Sequence, residues 1–207
     1  MSGSVWLAIA KDFVSRFAAA IDIHIRIFWE ASVLTHHPLA YFITFTCYGT
    51  HLHGSPSGSV VRGRGWRPTI WVAPDPAVQA QAQSLMGQPA YCLDQPRRRL
   101  ALAALTGASD RRWRLLCAQV RSTHVHVVVC AFDTCPELVM SALKAKASKA
   151  LNAAGVDPAD QRRWSRHGST RYLWNQRDVR DCIRYVVDGQ GEQMEVFVDT
   201  EFVPMPD

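Results

Sequence analysis

The clearest alternation of apolar and polar positions runs through Ser122-Thr123-His124-Val125-His126-Val127-Val128-Val129. In a strand, successive side chains point to opposite faces, so Val125 and Val127 share one face and His124 and His126 the other. Similar β-branched and aromatic character marks Tyr41–Tyr48 as a strand ending at Gly49-Thr50. Trp113–Val120 reads as another, joined by a turn at Arg121-Ser122 to the histidine strand, about His124–Cys130. Helical spacing covers residues 77–106 in two pieces, broken by Gly87, Pro89 and Pro96; Arg97-Arg98-Arg99 opens the second, which runs over Leu100–Leu105. Glu137–Ala154 predicts a helix with Leu138, Ser141, Ala142 and Ala145 on one face. A last helix, about Asp178–Asp188, stops at Gly189; Val179, Cys182, Ile183 and Val186 form its apolar stripe and Tyr185 lies beside it. Between these elements, residues 51–76 read as a long loop rich in glycine, serine, proline and arginine, and residues 162–172 as a basic polar segment.

This order predicts an α+β domain, an antiparallel sheet carrying the histidine strand with helices on one face, compatible with a ferredoxin-like sandwich. The domain occupies residues 38–193. An N-terminal amphipathic helical extension precedes it over residues 1–36, and a C-terminal tail over 194–207 adds a short strand. Val5 to Trp29 is apolar but interrupted by Lys11, Asp12, Arg16, Asp22, His24 and Arg26. It therefore falls short of the roughly 20 consecutive apolar residues of a membrane span, and it lacks the order of a signal peptide.

Composition adds two constraints. The net charge of +5 and a pI near 9.0 favour a polyanionic partner. Six cysteines, none in a Cys-x-x-Cys pair, argue against a zinc ribbon and against a disulfide framework, so the expectation is reduced thiols in a cytoplasmic protein.

Two imidazoles side by side on a stiff strand form half of a divalent-metal site, although such a pair also describes two surface histidines facing solvent or a cleft. Tyr185, at the border of its helix stripe, reads either as a packed ring with an exposed hydroxyl or as a phenol that attacks phosphorus.

Four stretches, in order, carry a resemblance: Tyr41-Phe42-Ile43-Thr44-Phe45-Thr46-Cys47-Tyr48-Gly49-Thr50-His51-Leu52-His53-Gly54; Thr123-His124-Val125-His126-Val127-Val128-Val129; Trp164-Ser165-Arg166-His167-Gly168-Ser169-Thr170-Arg171-Tyr172-Leu173-Trp174; and Arg184-Tyr185-Val186-Val187-Asp188-Gly189-Gln190-Gly191. Over about residues 38–193 the chain resembles the single-tyrosine HUH transposases (insertion-sequence 200-like), in particular the REP-associated tyrosine transposase branch. The resemblance implies that His124 and His126 ligate a divalent metal, Mg²⁺ or Mn²⁺, and that Tyr185 is the nucleophile. In such transposases a polar residue one turn after the tyrosine completes the metal site. Here Gly189 stands there, flanked by Asp188 and Gln190. Gln190 is the preferred third ligand, reached if the helix loosens at Gly189.

The activity implied is cleavage and rejoining of single-stranded or hairpin DNA through a 5′-phosphotyrosine, by a homodimer or a monomer and with no membrane partner. Candidate phosphate contacts are Arg62, Arg64, Arg67, Lys144, Lys146, Lys149, Arg162, Arg163, Arg166 and Arg171; candidate stacking residues are Trp66, Trp164, Tyr172 and Trp174. The Ser165–Ser169 loop is suited to lie near the metal cleft, with His167 as a hydrogen-bonding residue or spare ligand. Two rivals stand beside this reading: a non-catalytic nucleic-acid-binding module, and a metal-dependent nuclease that uses water and leaves Tyr185 idle.

Overall fold

The structure is a computed structural model and describes residues 37–61, 70–108, 112–131 and 134–201. The N-terminal extension and the Arg62, Arg64, Trp66 and Arg67 cluster lie outside the described residues.

Strand β1 (Ala40–Thr46) is followed by a short antiparallel pair, β2 (Ser59–Val61) and β3 (Ile70–Val72), inside the stretch expected to be loop. Helices α1 (Pro76–Ser84) and α2 (Gln95–Thr106) come next, then β4 (Trp113–Val120), β5 (His124–Ala131), α3 (Pro136–Ala153), β6 (Ser169–Leu173), α4 (Gln176–Asp188) and β7 (Glu195–Val198). Local chemistry sets the helix starts. Asp75 and Asp94 cap α1 and α2 with side-chain oxygens, a proline follows each, and Asn175 accepts from the Asp178 N–H at 2.8 Å to cap α4.

The five long strands form one antiparallel sheet in the order β6-β1-β5-β4-β7. Setting aside β7, α4 and the β2-β3-α1 segment leaves β1-α2-β4-β5-α3-β6 with strand order β6-β1-β5-β4, the βαββαβ arrangement of a ferredoxin-like sandwich. The histidine strand β5 is the central one.

Two apolar clusters, one on each face, follow from the period-two alternation. Ile43, Phe45, Val125, Val127 and Val129 face α2 and α3, which contribute Ala101, Leu105, Val139, Leu143, Ala147 and Leu151. Ala40, Val128, Cys130 and Leu173 face Val179, Cys182 and Val186 of α4. The antiparallel α+β class is as expected, but helices cover both faces: α4 lies over the one carrying the histidines. The α3 helix also buries a different stripe from the one its spacing indicated. Val139, Met140, Leu143, Ala147 and Leu151 point inward, whereas Leu138 is 62% exposed and Ser141 and Ala145 are exposed.

Past α3, Asp157 ties distant segments together. It accepts from Tyr91 Oη at 2.8 Å, from Arg97 Nε at 2.9 Å and from Arg163 Nε at 2.8 Å. Strand β7 is held to the core by ion pairs of Arg98 with Glu195 and of Arg114 with Asp199. All six cysteines are free, four of them buried, and among the described residues no helix is long and apolar enough to cross a membrane.

Candidate active site

Cross-strand register builds the site. His126 lies opposite Thr44 on β1 and Gln119 on β4; His124 lies opposite Thr46. Because α4 covers this face, His126 is only 7% exposed, so of the two surroundings expected for the pair, solvent or cleft, it does not have open solvent. The two rings meet edge to face with centroids 4.7 Å apart. Each Nδ1 is engaged by a threonine hydroxyl: Thr44 Oγ1 lies 2.7 Å from that of His126 and Thr123 Oγ1 lies 3.1 Å from that of His124. A hydrogen bond at one ring nitrogen fixes the tautomer and orientation with which the other nitrogen is presented.

Burial favours the unprotonated form of both imidazoles. Desolvation, reinforced by the neighbouring His124, pushes His126 down to about 4; desolvation and the Arg121 charge lower His124. The Gln190 side chain lies close enough to both rings to oppose these shifts.

Tyr185 arrives from α4. Its ring sits 5.9 Å from that of His126 and 5.9 Å, edge-on, from Phe42, which in turn stacks on His126 at 5.4 Å. Tyr185 remains 48% exposed. Gly189 accounts for the helix ending here. A Cβ at that position would come within 2.8 Å of the Tyr185 carbonyl oxygen and 3.0 Å of its ring. Without it the chain turns back, the Gly189 N–H donates to the Tyr185 carbonyl at 3.0 Å, and Gln190 Nε2 reaches that carbonyl at 3.3 Å. After the turn at Gly189, Gln190 is half-buried near the imidazoles, whereas Asp188 is exposed.

Among the described residues no group of three or more His, Cys, Asp or Glu side chains is arranged to hold a metal. The set here is two neutral imidazoles and a carboxamide. Neutral imidazole is the ligating form, and an amide oxygen is an ordinary ligand for Mg²⁺ or Mn²⁺, so the residues fit a divalent cation.

The other candidates are dispersed. Lys144 Nζ donates to the carbonyls of Ser165 at 2.9 Å and His167 at 3.2 Å and lies over Phe45, and burial lowers it to about 8. Lys146 Nζ binds the Ala108 carbonyl just past α2, at 3.1 Å. Both ammonium groups therefore serve the fold. Arg163 is buried against Asp157, and Trp164 donates to Ser148 and packs on Phe45, so neither is presented to a ligand. Arg162 lies over the Tyr48 ring, and Lys149, Arg166 and His167 are exposed. Arg171 is on the histidine face at the sheet edge, 3.9 Å from Asp178. Tyr172 and Trp174 stack on one another at 6.1 Å, with Tyr172 turned to the opposite face against Tyr41. Ser165 does approach the site: Thr46 Oγ1 donates to its hydroxyl at 3.0 Å.

Two residues with no signal in the sequence share the histidine face, Gln119 and Arg121; only strand pairing reveals them. Gln119 is fully buried, and neither atom of its carboxamide has a hydrogen-bond partner among the described residues. An orphaned buried amide costs about 1–3 kcal/mol. Gln119→Leu is therefore expected to raise stability by about that amount, read as a higher denaturation midpoint; a lower midpoint would contradict it.

No family model matches this chain, and no curated protein matches it. A solved REP-associated tyrosine transposase bound to a REP hairpin is similar over 74% of this chain and 67% of that one, at 14% identity and a TM-score of 0.38.

Proposed function

We propose that this protein is a strand transferase for single-stranded or hairpin DNA in which Tyr185 is the nucleophile. The observation that carries the reading is the convergence of His124, His126, Gln190 and Tyr185 on one face of the sheet, from β5 and the far end of α4. His124, His126 and Gln190 would hold a divalent cation, Mg²⁺ or Mn²⁺, which when bound supplies positive charge against the negative charge that builds on a reacting phosphate.

The protein's own groups do the rest. Phe42 and His126 hold the Tyr185 ring, and its exposure leaves the hydroxyl open to a phosphodiester. Tyr185 Oη forms a bond to phosphorus as the bond from phosphorus to O3′ breaks; the phenolic proton leaves to water and the departing 3′ oxygen becomes a hydroxyl. The DNA 5′ end remains as a phosphotyrosine ester, which conserves the bond energy, so attack by a 3′-hydroxyl reseals a strand without a nucleoside triphosphate.

Incubation with labelled hairpin DNA and Mg²⁺, followed by denaturing electrophoresis, tests this. The expected outcome is a covalent adduct with the unaltered protein and none with Tyr185→Phe, which still binds. Cleavage that survives Tyr185→Phe would identify a nuclease using water, and binding without cleavage by the unaltered protein a non-catalytic module.

A further inference from the structure

Arg121 carries a charge for which the fold has no evident need. Its backbone N–H closes the β4–β5 turn by donating to the His124 carbonyl at 2.9 Å. Its guanidinium reaches across to the segment after α4, where Nη1 donates to the Glu192 carbonyl at 3.0 Å, two residues beyond Gln190. That contact places the cation between the histidine strand and the Gln190 segment. Its remaining N–H groups meet no carboxylate among the described residues, and one carbonyl does not neutralise a guanidinium. A guanidinium held beside the histidine strand by these two contacts repels any other cation placed there. An anion lying between the guanidinium and whatever the histidines hold would relieve this repulsion. A guanidinium fork suits two oxygens of one phosphate.

We propose that Arg121 binds the phosphodiester on which Tyr185 acts and couples its arrival to cation binding at His124, His126 and Gln190. The identity of the anion rests on the strand-transfer reading. A charge in this position has effects of opposite sign: it weakens cation binding in DNA-free protein and strengthens DNA binding. A purely structural tether to Glu192 would not separate the two.

The test uses the full chain with Tyr185→Phe as parent, so that DNA is bound without turnover. Arg121→Gln removes the charge and keeps a side-chain N–H for the Glu192 carbonyl. Without DNA, Arg121→Gln is expected to bind Mn²⁺ several-fold more tightly than the parent, an advantage that saturating hairpin DNA removes. Its hairpin affinity falls, and the slope of log affinity against log salt shrinks by about 0.7–0.9, one phosphate contact. Arg121→Lys restores most of the slope. A neutral methylphosphonate at the linkage cut by the unaltered protein erases the difference between parent and Arg121→Gln.

Weaker Mn²⁺ binding in Arg121→Gln, an unchanged slope, or a difference that persists on the methylphosphonate would overturn the assignment. A parent that binds no hairpin overturns this proposal and the strand-transfer reading together. If the unaltered protein forms no adduct while the Mn²⁺ and salt signatures are present, the Tyr185 chemistry falls and the phosphate site stands. An adduct without those signatures is the reverse.

Discussion

Asp157→Asn is expected to destabilise the fold by about 3–5 kcal/mol, because removing one partner of a buried ion pair strands the other. Asp157 and Arg163 have only 3% and 4% of their side chains exposed, and Arg163 Nη2 already lacks a hydrogen-bond partner among the described residues. The substitution keeps the shape and removes the charge that serves both Arg163 and Arg97. Denaturant midpoints measure the loss. The exposed Arg177–Asp181 pair, 3.9 Å apart with side chains 84% and 55% exposed, is the control; breaking it is expected to cost less than about 1 kcal/mol. Equal effects at the two sites would contradict the account.

Acid sensitivity follows with a defined sign. Burial pushes the Asp157 carboxyl up, but hydrogen bonds from Arg163, Tyr91 and Arg97 outweigh it and hold it below the usual carboxylate range. Its contribution is present above the unfolded value of about 3.9 and lost as pH falls through the lower folded value. His124 and His126 act earlier. Both are depressed in the fold, so the unfolded chain takes up protons first and stability declines as pH drops below about 6.5. The midpoint is therefore expected to fall in two stages, with Asp157→Asn removing only the more acidic one.

His126→Ala is expected to slow adduct formation by about 1,000-fold or more, the scale of a lost electrostatic contribution to a charged transition state. The imidazole does two things that alanine cannot. It presents a ligating nitrogen beside His124 and Gln190, and it packs against Phe42 and Tyr185 to hold the nucleophile. Thr44→Val separates them. It removes the hydroxyl on His126 Nδ1 and leaves the ring packed, so the expectation is a loss of about 10–100-fold in metal affinity, recovered by added Mn²⁺. Single-turnover rates across a Mn²⁺ titration measure both. A Thr44→Val defect that excess Mn²⁺ does not repair would mean that the threonine acts on something other than metal affinity.

Elements with strong period signals were legible in the sequence: β4 as Trp113–Val120, the histidine strand, and the tyrosine helix up to its stop at Gly189. Strand β6 was not, because it is an edge strand with one buried residue, Leu173, among exposed and half-buried neighbours. The buried stripe of α3 was misassigned because alanines and serines surround the helix and several stripes fit the same spacing; packing against Phe45 and Val127 chooses between them. In the site, alternation placed the histidines together but left solvent and cleft open for their face, since nothing local tells which face α4 will occupy. Lys144 and Lys146 read as surface cations because spacing does not show that their ammonium groups reach the Ser165, His167 and Ala108 carbonyls. Gln119 and Arg121 carried no signal at all, because their importance lies wholly in the β4–β5 register.

The central claim is that DNA is joined to Tyr185 itself. Trypsin cuts after Arg184, and no lysine or arginine lies between Tyr185 and Asp207, so Tyr185 becomes the first residue of the peptide that carries residues 185–207 and is the one tyrosine in that stretch. Mass spectrometry of this peptide, after reaction with hairpin DNA and nuclease trimming, measures the linkage directly. The account predicts a nucleotide attached through a 5′-phosphate to Tyr185. Strand cleavage with that peptide unmodified, or with the nucleotide on another residue, would contradict it.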